Sequence, residues 1–173
     1  MRYEVANILE PVVAILKEND GSLPDIDIDF CGTPAIPNAY TFIRSCASSF
    51  VSNSHWYWSK SLGKASEFGY NDDPTDALIQ GDAEPFHVLF GGIRSPTGWS
   101  VPDLGVYCDD PSNMSLDYRM GPEWDILAVA GLFEILKTLA SLSERIVIEH
   151  SHNIFDQHDI MMKAYRRWAA TTA

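Results

Sequence analysis

The sequence predicts an α+β domain with a mostly antiparallel sheet. Short segments with period-two alternation and longer segments with helical periodicity occur in an order that does not alternate regularly, as βαβ units would. The chain has 173 residues, which suits a single domain and is enough to bury a sizeable core. Three helices are expected to frame the sheet: one at the N-terminus, a long one near 122–142, and one at the C-terminus.

The N-terminal quarter is predicted to contain one helix and one strand. Apolar residues recur at mostly helical spacing over 2–18, with Pro11 as a kink or a break. The segment 24–30, PDIDIDF, alternates strictly and predicts a half-buried strand. Two prolines in 31–38 predict a loop, and 39–50 is compatible with either helix or strand.

The middle of the chain is predicted to be mainly strands. Aromatic and polar residues alternate over 55–60, which favours a strand. An Asp-Pro pair predicts the start of a short helix over 73–80, because Asp is favoured at the cap and Pro in the first turn. The segment 86–93 resembles a buried strand that ends in two glycines. Two further strands, 103–109 and 115–121, flank a turn-rich DDPSN sequence and predict a hairpin.

The C-terminal part is predicted to be helix, strand, helix. The long helix over 122–142 has a wide apolar stripe, with Pro122 at its start and acidic residues in the first turn. A strand is predicted at 145–150. Asp156 is then expected to cap a helix that runs to about Ala170.

The charge is strongly negative. The chain has 24 acidic and 12 basic residues, a net charge of −12 and a pI near 4.6. Such a surface repels nucleic acid and anionic lipid and attracts basic partners or cations. The acids are concentrated: residues 65–118 contain ten acids and one base, Arg94, and residues 18–43 contain five acids and no base. One interpretation is a docking face for a basic protein, and the alternative is a surface that only improves solubility.

Cysteine usage and hydropathy predict a cytoplasmic protein. Three cysteines, without C-x-x-C spacing, do not suggest a secreted disulfide framework. The N-terminal segment lacks the apolar core and cleavage site of a signal peptide. No apolar run is long enough for a transmembrane helix. Neither a membrane nor a cofactor is expected as a partner.

Asp25, Asp27 and Asp29 would lie on one face of the predicted strand, without a nearby base. Three explanations remain open. Charges on an edge strand prevent aggregation between sheets. Carboxylates in a row can hold a divalent cation. They can also form a contact surface for a basic partner. The acidic excess elsewhere favours the last explanation.

Three tryptophans lie in or near the acidic segments. Trp56 and Trp58 would share one face of a strand, with Tyr57 on the other, and one of these faces must belong to the core. Buried tryptophans would be packing residues, whereas exposed ones would be interface anchors. Trp99 follows a glycine in a loop, which favours its exposure.

A histidine-rich segment near the C-terminus is a candidate metal site. His150, His152, Asp156 and His158 supply imidazole and carboxylate groups, which suit zinc or other transition metals. A metal-dependent hydrolase built on these residues is therefore an alternative function. The simpler interpretation is that Asp156 caps a helix and that the histidines are polar residues at a strand end. No nucleophile or phosphate-binding signature accompanies them.

The acidic stretches PDIDIDF, YNDDPTDA and VYCDDPSN, together with the tryptophans, resemble the class of bacterial immunity proteins that neutralise polymorphic toxins. The resemblance implies a non-enzymatic protein that binds a toxin domain, commonly a cationic nuclease, and occludes its substrate cleft. A further alternative is a non-catalytic subunit of a stable complex. The residues expected to bind the partner are Asp25, Asp27, Asp29, Asp72, Asp73, Asp109, Asp110, Trp56, Trp58 and Trp99.

Overall fold

A six-stranded antiparallel sheet forms the centre of the computed structural model. The structure describes residues 3–18, 21–52, 54–151 and 155–172, and the side chains of residues 3, 151 and 155–159 lie outside that description. The helices are α1 (Tyr3–Leu16), α2 (Ile36–Cys46), α3 (Thr75–Ile79), α4 (Ile126–Ala140) and α5 (Phe155–Thr171). The strands are β1 (Asp25–Asp29), β2 (Ser49–Phe50), β3 (His55–Ser59), β4 (Lys64–Phe68), β5 (Phe86–Gly91), β6 (Ile93–Arg94), β7 (Ser100–Val101), β8 (Leu104–Asp110), β9 (Asn113–Tyr118) and β10 (Val147–Ser151).

The strand order in the large sheet is β10-β1-β9-β8-β5-β2. This confirms the predicted α+β class, with a mostly antiparallel sheet and helices at the N-terminus, near 122–142 and at the C-terminus. The hairpin between β8 and β9 is also confirmed. Strand β1, however, pairs with β10 on one side and β9 on the other. The explanation that its aspartates protect an edge strand is therefore wrong.

The helices pack on one face of the sheet. Buried side chains of α1, α2, α4 and α5 form a single core with the inward residues of the strands. In this core the ring of Tyr40 on α2 lies 6.2 Å from that of Phe86 and 5.7 Å from that of Phe90, both on β5. Burial of apolar area on this scale is the main stabilising contribution to the fold. Within the described residues, no helix combines the length and apolar character needed to span a membrane.

Some predicted boundaries are wrong, for local reasons. The predicted loop 31–38 contains the start of α2, because Pro37 occupies the first turn, where its missing N–H costs nothing. The long helix α4 begins at Ile126, after Pro122, because Asp125 is the residue whose side chain accepts the first helical N–H groups. Helix α5 begins at Phe155, one residue before the predicted cap.

Two small hairpins flank the large sheet. Strands β3 and β4 form one, and β6 and β7 form the other. The first hairpin continues along the outer side of β5, where the backbone N–H of Glu84 donates to the carbonyl of Trp58 at 3.0 Å. Strand β4 was not predicted, because KASEF contains few residues that favour strands.

Candidate functional site: the acidic face of the sheet

The face of the sheet opposite the helices is open to solvent over β1, β8 and β10. Along β1 the alternation is clear: Ile26 and Ile28 are buried in the core, whereas Asp27 and Asp29 are exposed. Strands β8 and β10 show the same pattern, with exposed Tyr107 and Val147 on the open side. Every second residue of each strand therefore lies on the open face.

Six carboxylates lie on this open face. We call them the acidic sheet face: Asp25, Asp27, Asp29, Asp109, Asp117 and Glu149. The register places like charges directly opposite each other. Asp27 faces Glu149 across β1 and β10, and Asp25 faces Asp117 across β1 and β9. Such pairs destabilise a sheet, so the fold keeps this charge at some cost.

A shallow groove of about 430 Å³ runs over the centre of the acidic sheet face. Tyr107 and Val147 contribute exposed apolar surface to its lining. The lining also contains the carboxylates of Asp27, Asp29, Asp109 and Glu149. Apolar and anionic surface in one groove suits a cationic side chain with an apolar stem.

Positive charge is scarce on this face. Among the outward residues of its strands that the structure describes, none is Lys or Arg, and His87 on β5 is the one that can carry a positive charge. Its Nε2 lies 2.6 Å from Oδ2 of Asp117. Gly105 of the intervening strand makes this contact possible, because a Cβ atom there would overlap the Asp117 carboxylate.

The ion pair sets the protonation of His87. The hydrogen bond that His87 donates to Asp117 raises the pKa of His87, burial lowers it, and the negative charges of Asp117 and Asp25 raise it further, so the pKa is higher than its ordinary value. The charged form of His87 is thus favoured relative to that of an ordinary histidine. Its positive charge offsets one of the six carboxylates, so the acidic sheet face becomes more negative as the pH rises.

Two of the predicted binding residues, Asp72 and Asp73, lie elsewhere. Asp73 is 3.8 Å from Arg44 of α2, and its Oδ1 accepts the N–H of Thr75 at the start of α3. Asp72 accepts the N–H of Gly69 at 2.7 Å. Because α2 packs on the buried face of the sheet, both aspartates lie on the helical side and stabilise local structure. They are not brought together with the acidic sheet face.

Two other predicted residues stabilise turns. Asp110 accepts the N–H of Ser112 and the side chain N–H of Asn113, at 2.7 and 2.8 Å, and so closes the β8–β9 hairpin. Asp29 accepts the N–H of Cys31 at 2.7 Å, where the chain turns with a positive φ at Cys31. Asp29 remains exposed on the acidic sheet face, whereas Asp110 is half-buried.

The three tryptophans are at least partly exposed. The exposed fraction is 55% for Trp56, 41% for Trp58 and 38% for Trp99. Tyr57 takes the opposite face of β3, where its ring lies 6.4 Å from that of Phe86. Of the two interpretations of Trp56 and Trp58, simple burial in the core is therefore excluded.

The predicted histidine cluster is only partly within the described structure. His150 is buried, and its Nε2 lies 2.7 Å from the hydroxyl of Tyr118. His152 lies outside the described residues, as do the side chains of Asp156 and His158. Within the described part of the chain, no group of three or more His, Cys, Asp or Glu residues is placed to hold a metal ion. His150 is thus a buried, hydrogen-bonded residue of the core in this structure.

Sequence reasoning missed Asp117, Glu149 and His87 as members or neighbours of this site. Alternation places Asp117 and Glu149 on the same side of their strands as other polar residues, which is a usable signal. Their proximity to the β1 aspartates depends on pairing between distant segments. That pairing cannot be read from local periodicity.

Comparisons of this chain with protein-family models, with curated proteins and with solved structures find no match.

Proposed function

We propose that this protein is an inhibitor that binds a basic protein through the acidic sheet face, and that it is an immunity protein that neutralises a nuclease-type toxin domain. The observation that carries the proposal is the open sheet face with six carboxylates and, among the outward residues of its strands that the structure describes, no Lys or Arg. The proposal assigns no catalytic role to the chain.

A nuclease must present positive charge to its substrate. A protein that binds nucleic acid carries Lys and Arg in its substrate cleft to neutralise phosphates. A protein surface that places carboxylates about 5 Å apart across strands and about 7 Å apart along them can occupy that cleft in place of phosphates. Charge complementarity of this kind raises the association rate and excludes anionic competitors.

The like-charge pairs support a binding role over a solubilising one. Charges that only improve solubility can be spread over the surface, where they cost little. Here Asp27 and Glu149, and likewise Asp25 and Asp117, lie directly opposite each other, where they repel. The positive charges of a basic partner would offset that repulsion in the complex.

The test begins with the purified protein as bait in an extract of its native host at low salt. Bound proteins are eluted with a salt gradient, identified by mass spectrometry and then produced in pure form. We expect a basic protein whose nuclease activity is abolished by one equivalent of the bait. The matched control is the bait with Asp27, Asp29 and Glu149 all changed to Lys, which should not inhibit.

Two results would contradict the proposal. A partner that remains bound at high salt, copurifies in stable stoichiometry and has no activity to inhibit would favour the alternative of a subunit in a stable complex. Full inhibition by the charge-reversed bait would show that the acidic sheet face is not the binding surface.

A further inference from the structure

The β3–β4 hairpin exposes two indole side chains on one face. Trp56 and Trp58 are separated by one residue, so they project on the same side of β3, and their exposed fractions are 55% and 41%. The opposite side of the hairpin is occupied by Tyr57 and Phe68, whose rings pack near Phe86 of the core. The hairpin is therefore anchored by one face and leaves the two indoles on the other.

The surroundings of these indoles are anionic. Glu67 of β4 is directly opposite Trp56 in the register and is exposed. Ala65 is opposite Trp58, and its small side chain leaves the indole uncovered. On the other side of β3, exposed Glu84 donates its N–H to the carbonyl of Trp58.

Neither lysine of the hairpin occupies an outward position of β3 or β4, since Lys60 lies in the turn after β3. Lys60 donates from Nζ to the carbonyl of Gly81 at 3.2 Å. Lys64 is paired with Ser59, and alternation places it on the opposite side of β4 from Glu67. The outward positions of β3 and β4 thus combine two indoles with a carboxylate, and none of these described strand positions is Lys or Arg.

We infer that Trp56, Trp58 and Glu67 form a binding site for an arginine side chain of a basic protein partner. This inference rests on the proposed function, since it assumes the same partner, but it names a second contact separate from the acidic sheet face. Indole faces attract cations more strongly than other aromatic rings do. A guanidinium group is planar, so it stacks on an indole while its N–H groups reach a carboxylate.

The experiment uses an octa-arginine peptide as the probe and an octa-citrulline peptide as its neutral control. The side chain of citrulline is close in size and shape to that of arginine but carries no charge. Two-dimensional ¹H–¹⁵N NMR resolves the indole N–H signals, and single Trp→Phe variants assign them. We expect the signals of Trp56 and Trp58 to shift with the arginine peptide and not with the citrulline peptide, while that of buried Trp124 stays fixed.

Affinity measurements complete the test. The Trp56→Ala/Trp58→Ala variant should bind octa-arginine about fivefold to tenfold more weakly, and Glu67→Gln about twofold to threefold more weakly. Both changes are at exposed positions, so circular dichroism should show an unchanged fold. Unshifted indole signals at saturation, or equal affinity of the double Trp variant, would overturn the inference.

The charge-reversed variant of the acidic sheet face separates the two proposals. If charge reversal abolishes peptide binding and the tryptophan changes have no effect, the inference fails and the proposed surface stands. If the tryptophan changes weaken binding and charge reversal does not, the hairpin site stands and the acidic sheet face fails. Absence of octa-arginine binding to the unmodified protein would overturn both.

Discussion

Neutralising Asp27 should stabilise the free protein, because Asp27 is directly opposite Glu149 in the sheet and both side chains are exposed. Two unit charges about 6 Å apart repel by about 0.7 kcal/mol in bulk water. This figure lies within the range of about 0.2–1 kcal/mol measured for cross-strand pairs. Asp27→Asn and Glu149→Gln should therefore each raise the free energy of unfolding by about 0.5 kcal/mol, or Tm by about 1–2 °C.

The assay is a double-mutant cycle, in which urea unfolding is measured for both single variants and for the double variant. The double variant should gain less than the sum of the single gains, by about 0.5 kcal/mol, because the repulsion can be removed only once. The difference should shrink in 1 M NaCl, where the screening length falls to about 3 Å. Asp29 and Val147 provide the matched control, since they are opposite each other on the same two strands but only one is charged. A coupling between Asp27 and Glu149 that is zero or attractive at low salt would contradict this prediction.

The remaining predictions concern a helix cap, a buried hydrogen bond and a surface histidine. Asp125→Ala should lower the free energy of unfolding by about 1 kcal/mol, because the Asp125 side chain caps α4 by accepting two backbone N–H groups. Asp125→Ser should retain most of this stabilisation, because Ser is also a favoured cap residue. Equal losses for the two variants in urea unfolding would contradict the capping role. Tyr118→Phe should cost about 1–2 kcal/mol, because it removes the 2.7 Å hydrogen bond to His150 in the core, and a variant as stable as the unmodified protein would contradict that value. The hydrogen bond that His87 donates to Asp117 raises the pKa of His87 above 6.5, so the stability from this pair is fully present below pH 6.5 and is lost as the pH rises through the raised pKa. NMR titration should show the pKa of His87 falling in Asp117→Asn, and an unchanged pKa would show that another group causes the shift.

The elements with strong periodicity could be predicted from the sequence. The alternation of PDIDIDF predicted β1, and the apolar stripe predicted α4. The turn residues between β8 and β9 predicted the hairpin that these strands form. Each of these signals is local, because burial on one side of a strand or helix imposes a period on the sequence itself. Strand β4 was not predicted, because its strand conformation is stabilised by pairing with β3 and not by the strand propensity of its own residues.

The candidate site could be predicted only in part. The outward direction of Asp27 follows from alternation, but its neighbours are set by pairing between β1 and β10, which lie more than one hundred residues apart. That pairing makes β1 an interior strand and brings Glu149 to the site. Asp72 and Asp73 also lie in an acidic segment, but in the structure they are on the other side of the sheet. Composition alone does not indicate on which side of a sheet a loop lies.

The exposure of the tryptophans illustrates a further limit of periodicity. Alternation requires that Trp56 and Trp58 share a face but does not say whether that face is inside or outside. The packing of Tyr57 and Phe68 against Phe86 decides the matter, and it depends on where the hairpin meets β5. The indole side chains of Trp56 and Trp58 therefore remain exposed to solvent.

Two baits compared side by side test most directly whether the acidic sheet face binds a basic protein. The unmodified protein and the variant with Asp27, Asp29 and Glu149 changed to Lys are incubated with the same host extract at low salt. Bound proteins are then quantified by mass spectrometry. We expect a basic protein that is enriched on the unmodified bait, released by salt and depleted at least tenfold on the variant. Recovery of the same proteins in equal amounts on both baits would contradict it.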